Sequence, residues 1–187
     1  MSRERFEEVV CESIVSLPQD MKAVLRIVED PEINDQGRVM AAGALLHVLS
    51  ASNAIPGQRG ILGYVDDVLV LRLALERIEK DNPEPMARHR EDSPELFADL
   101  DDRLEVTREF LGELVKVLDN AVDGVAKITH HGHSAQQCAA EDSTWLYDTV
   151  QEAVVDELDF DEDEVARECK QLDKILPHLR TKAETLK

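Results

Sequence analysis

Residue types able to hold a metal or move a proton gather at three places in this 187-residue chain. Asp66 and Asp67 stand side by side at the head of an apolar run. His130, His131 and His133 fall within four residues, followed by Cys138 and Asp142. Asp159, Asp161 and Asp163 alternate through the run DFDEDE. Adjacent carboxylates offer the several oxygens that a hard divalent cation requires. Imidazoles beside a thiolate are the donors of a zinc site.

A plainer role competes at each place. In the first turn of a helix, Asp66 and Asp67 would satisfy free N–H groups and favour the helix dipole. The histidine spacing fits neither a HExxH helix nor a zinc-finger pair. The pair His131 and His133 is followed by Ser134 and Ala135, after a helix, so a polar helix-helix turn is the expectation. The aspartate run mimics the first ligands of an EF-hand, but Glu164 stands where glycine is needed and Lys170 where a bidentate Glu is needed. That run reads as an acidic cap for a last helix, with Asp161 as the capping residue. His47, on an apolar helix, reads as a hydrogen-bonded core or boundary histidine. GxSxG, P-loop and GxGxxG motifs do not occur, and no spacing proposes a Ser-His-Asp triad. No catalytic residue and no cofactor is assigned. The metal candidates are Asp66, Asp67, His130, His131 and His133.

The elements that would carry these groups are helices. Phe6, Val9, Val10 and Ile14 share one face of a first helix, which Leu17-Pro18 is expected to end. Pro18 would open a second helix to about Glu29. Asp30-Pro31 would cap a third, fading near Ser52-Asn53. From Val68 to Leu75 only Arg72 is polar, so this helix should be buried on all sides. Residues 81–94 hold three prolines and read as a linker. Leu100, Leu104, Leu111, Leu114, Leu118, Val125 and Ile128 then form a four-three seam, expected as one helix from Pro94 to about Thr129. Gly112 and Gly124 inside it would admit a close partner helix. Val165, Cys169, Leu172, Leu176 and Leu179 form a second seam on a returning arm. The expected fold is all-α. A small bundle spans residues 1–80, the linker 81–94, and a long antiparallel helical hairpin 95–187.

The text HVLSASNAIPGQRGILGYVDDVLVL, within a stretch from about Leu17 to Leu75, resembles the YkvA-like family, a bacterial domain of unknown function. Ser50, Ile55, Pro56, Gly63, Tyr64, Asp66 and Asp67 match the family pattern. His47 stands where Tyr is usual, Ala51 where Pro is usual, and Asn53 and Gly57 where two Asp are usual. The resemblance covers about a third of the chain. It implies a helix-loop-helix corner, which Gly60 and Gly63 would tighten, and no activity. The two missing carboxylates remove half of the oxygen cluster that other members would offer a cation.

Charge divides unevenly. Residues 1–80 carry nine basic and thirteen acidic residues, and residues 81–187 carry twelve and twenty-seven. Thus −15 of the net −19 lies in the second half. No cationic surplus exists to release counterions from nucleic acid or to meet an anionic membrane. Three scattered cysteines and an N-terminus without an apolar core fit a cytoplasmic protein. The apolar stretch Val39 to Leu49 is too short to cross a bilayer. The expected function is that of a non-enzymatic interaction or adaptor protein, docking a basic or helical partner on its acidic half and self-associating through seam residues as a homodimer. Divalent-metal binding or sensing is the first alternative. Peripheral membrane association is the second.

Overall fold

A computed structural model describes residues 3–50 and 52–186. The fold is all-α, with a single two-residue β ladder among the described residues. Helix α1 spans Arg3–Glu29 without a break. Pro18 sits inside it, contrary to the expected break at Leu17-Pro18. A mid-helix proline removes one hydrogen bond. Here Phe6, Val10, Ile14, Leu17, Met21 and Val24 are buried along one continuous stripe that spans the proline. That burial holds the helix together.

Helix α2 spans Asp35–Leu49, capped by Asn34, whose side chain accepts from the Gly37 N–H at 2.7 Å. Asp30, expected as the cap, instead accepts from the Glu32 N–H at 2.9 Å and pairs with His89 at 2.8 Å. It shapes the turn before α2. Helix α3 spans Val65–Asp81 and is the expected buried helix, buried from Val65 to Leu75. Residues 81–94, read as a linker, contain helix α4, Pro83–Asp92, with Met86 buried. Pro83 and Pro94 each occupy the first turn of a helix, where a missing N–H costs nothing.

The C-terminal seams do not form two straight arms. The first is divided into α5 (Pro94–Phe97), α6 (Leu100–Leu111), α7 (Val115–Gly124) and short 3₁₀ turns. Gly112, at φ +54°, ends α6 by adopting a backbone that side chains disfavour. A Cβ on Gly112 or Gly124 would meet nothing within 4 Å, so neither glycine admits a partner helix. Strands β1 (Thr129–His130) and β2 (His133–Ser134) follow, then α8 (Ala135–Cys138) and α9 (Ser143–Asp156). The returning arm is likewise two helices, α10 (Glu162–Cys169) and α11 (Ile175–Thr185). Asp161 caps α10 as expected, accepting from the Glu164 N–H at 2.9 Å.

These segments wrap the bundle. Helix α2 packs on α1, α3, α8 and the turn at Val125–Lys127; α1 packs on α6 and α10, and α3 on α7. The seam residues Leu100, Leu104, Leu118, Val125, Val165 and Leu179 are buried within the chain. One apolar core therefore runs through both halves of the sequence. No described helix is long and apolar enough to cross a membrane.

Candidate metal centre

Helices α2 and α3 pack side by side, and their facing sides carry one histidine and two carboxylates. His47 is 3% exposed, Asp66 1% and Asp67 6%. The connecting loop brings them together. Gly57 and Gly60 take φ values of +80° and +59°, which reverse the chain after α2. Gly63 takes no such conformation and has room for a side chain, so Gly60 alone of the two expected glycines tightens the corner. Ile55 is fully buried and anchors the loop, while Pro56 is exposed. Ser50 ends α2, and its hydroxyl hydrogen-bonds that of Ser52 at 2.9 Å. Ala51, the departure from Pro, lies outside the described residues.

Asp66 and Asp67 occupy the first turn of α3 but do not cap it. The Asp66 Oδ2 accepts from the Ala54 N–H at 2.6 Å, and the Ile55 N–H also bonds this carboxylate. Asp66 therefore pins the loop to α3. Its other oxygen, Oδ1, is buried and has no hydrogen-bond partner among the described residues. Asp67 Oδ1 lies 2.8 Å from His47 Nδ1. This contact fixes the imidazole ring and leaves Nε2 3.8 Å from Asp66 Oδ2. One donor atom from each residue lies within 4.8 Å of the others.

Burial governs the charges. It pushes the Asp66 carboxyl up to about 7, helped by the Asp67 carboxylate and opposed by His47 and the two backbone N–H groups. It raises Asp67 well above the usual carboxylate range. It lowers His47, against the pull of Asp66. Two acids and a base share one buried cluster whose groups resist charging singly.

Two openings flank the cluster. Asp67 forms part of the floor of a cleft of about 570 Å³ that Ser50, Tyr64, Phe160 and Glu157 also line. His47 lines a smaller cavity of about 320 Å³, shared with Asn120, Ile128 and Lys182. The Tyr64 ring meets Phe160 edge-on at 5.0 Å.

The three loop histidines go elsewhere. His131 and Gly132 form the turn of the β1–β2 hairpin, both at positive φ. His130 and His131 place their rings 4.0 Å apart in a groove with Glu152 and Asp156. His133 turns away, stacking on Trp145 at 3.8 Å and bonding Asp142 at 2.7 Å through Nδ1. Cys138 is buried, and burial pushes its thiol up to about 11, far from a ready thiolate. Among the described residues, the metal-capable group of three is His47, Asp66 and Asp67.

His47 is expected as a hydrogen-bonded core or boundary residue rather than a ligand, and it is buried and hydrogen-bonded to Asp67. The sequence alone did not join His47 to the aspartates. The available signal was one position: an imidazole stands where the pattern that the chain resembles has Tyr, upstream of the Asp66-Asp67 pair.

The chain matches no family model, no curated protein and no solved structure. The YkvA-like resemblance rests on its motif residues.

Proposed function

We propose that the protein binds a single divalent transition-metal ion between α2 and α3, and that this ion serves a metal-dependent or metal-sensing role. The observation that carries the reading is the buried cluster of His47, Asp66 and Asp67, in which Asp66 Oδ1 has no hydrogen-bond partner among the described residues. A buried polar atom without a partner costs about 1–3 kcal/mol, which an ion held by both oxygens of the Asp66 carboxylate would relieve. The 3.8 Å between His47 Nε2 and Asp66 Oδ2 falls within the span of two bonds of about 2.1 Å to one ion. Asp67, on Nδ1, supplies the outer carboxylate that commonly orients a metal-bound histidine. One imidazole with carboxylates suits Mn, Fe, Co or Zn better than Mg or Ca, which seek oxygen alone.

Metal analysis and thermal melts of untagged protein test this. Co(II) or Zn(II) should bind one per chain and raise the melting temperature, whereas Mg(II) and Ca(II) should not. At one hundred times Kd the gain is about 2.7 kcal/mol. His47→Ala and Asp66→Asn should abolish the gain while leaving the helical circular dichroism intact. Equal stabilisation of the wild type and both variants would reject the site.

A second reading, protein docking through the acidic half, is favoured by one feature. Val155 on α9 is 74% exposed, and Tyr147 on the same helix is also exposed. They lie among Asp148, Glu152 and Asp156. Affinity capture with wild type and Val155→Asp tests it: a partner retained equally by both proteins would exclude this helix as the docking face.

A further inference from the structure

The cleft over Asp67 is built from both halves of the chain. Its inner wall is the end of α2 and the loop into α3. Its outer wall is the segment that leaves α9 and opens α10, bringing Glu157, Asp159, Asp161 and Glu164 into one cleft with Asp67. Helix α10 packs on the 3₁₀ turn Gly60–Tyr64, and Phe160 closes on Tyr64. Counting Asp67, five carboxylates among the described residues line this cleft, with the cation Arg59. The cavity on the His47 side has the opposite character. Among the described residues Lys182 lines it and no carboxylate does.

We infer that the acidic cleft is the loading route by which a hydrated divalent cation reaches the His47–Asp66–Asp67 site. The inference rests on the metal reading above. A cleft lined by one sign of charge, with low-dielectric walls, concentrates counter-ions and raises their on-rates by roughly 10–10³-fold. Lys182 repels a cation at the other opening. The ion passes from rim carboxylates, which stay in contact with water, to Asp67 on the floor. The acidity of the C-terminal half thereby acts on a site built wholly in the N-terminal half.

Stopped-flow mixing of the full chain with Co(II), followed by its visible absorption, tests the route. Asp161 is left intact because it caps α10. The triple variant Glu157→Gln, Asp159→Asn, Glu164→Gln should associate about tenfold more slowly, with the same dissociation rate and a weaker dependence on salt. Lys182→Met should change the association rate less than twofold. Unchanged association in the triple variant overturns the route. So does a large acceleration by Lys182→Met, which would put access on the His47 side. Faster dissociation without slower association would make the rim residues ligands, and also overturns it. Absence of Co(II) uptake by the wild type at equilibrium rejects the metal reading itself, whereas normal uptake with unaltered rates rejects the route alone.

Discussion

Arg72 on α3 donates from Nη2 to Asp20 Oδ2 on α1 at 2.8 Å, with both side chains almost wholly buried. Ser16 donates to the same oxygen at 2.9 Å. Burial nevertheless raises Asp20 and lowers Arg72, so desolvation outweighs their attraction. The pair locks α3 to α1 at the one polar position of the apolar run Val68–Leu75. Removing one partner leaves a buried charge alone. Arg72→Met should therefore cost about 3–5 kcal/mol in urea denaturation. The double variant Arg72→Met, Asp20→Leu should recover much of that loss. A double variant as unstable as the single one would show that the pair stabilises beyond its own charges.

Gly43 faces the backbone of Val125. A Cβ at this position would lie 2.3 Å from the Val125 carbonyl oxygen, which is backbone and cannot swing aside. Gly43→Ala should push α2 away from the turn at Val125–Lys127. Overpacking of this kind costs about 1–3 kcal/mol, or roughly 3–10 °C in Tm for a chain of this size. Gly124→Ala, with open space around it, should be neutral or stabilising. Calorimetry of the two variants side by side checks the contrast.

What the sequence revealed follows from where its information is local. The run Val68–Leu75 announces a buried helix because every face is apolar, and α3 is that helix. Asp161 announces a cap because capping needs only three residues. The four-three seams were legible as buried stripes but not as broken ones. Spacing records which face is apolar and says nothing of a Gly112 turn that bends the stripe around a core. Pro18 carries a local penalty, and the tertiary burial that overrides it is not recorded in the residues next to it. His47 and Asp67 are twenty residues apart, and only the packing of α2 on α3 joins them. Capping was the local reading of Asp66, but its oxygen is taken by a loop N–H twelve residues upstream.

The cysteines offer a test of burial. Cys138 is pushed up to about 11 and Cys169 to about 12, chiefly by desolvation. At pH 8 a thiol of pKa about 11 is roughly one-thousandth thiolate, the reactive form. Native protein should therefore release little chromophore from Ellman's reagent within minutes, and that from the partly exposed Cys11. Three equivalents should appear in guanidinium. Rapid native labelling of Cys138 or Cys169, located by peptide mass, would contradict the packing of α8 and α10.

The metal-free protein should lose stability as pH rises through neutrality, relative to a variant without the Asp66 acid. The Asp66 carboxyl is held at about 7 in the fold, against about 3.9 in an unfolded chain. Between those values the folded state binds the extra proton. Its contribution is thus fully present below about pH 4 and is lost as pH rises through 7, with a slope of up to about 1.4 kcal/mol per pH unit. Asp67, also raised, acts in the same sense. His47, lowered, acts oppositely below its ordinary 6.5, and both proteins share it. Asp66→Asn keeps the shape and cannot ionise. The stability of wild type minus Asp66→Asn, measured in urea with EDTA between pH 4.5 and 8, should fall steadily. A flat difference would mean that Asp66 is ionised in the fold at every pH tested. With saturating Zn(II) the slope should reverse, because the ion displaces protons and binds more tightly as pH rises. Reversal in the wild type and its absence in Asp66→Asn would tie the titrating group to the metal ligand.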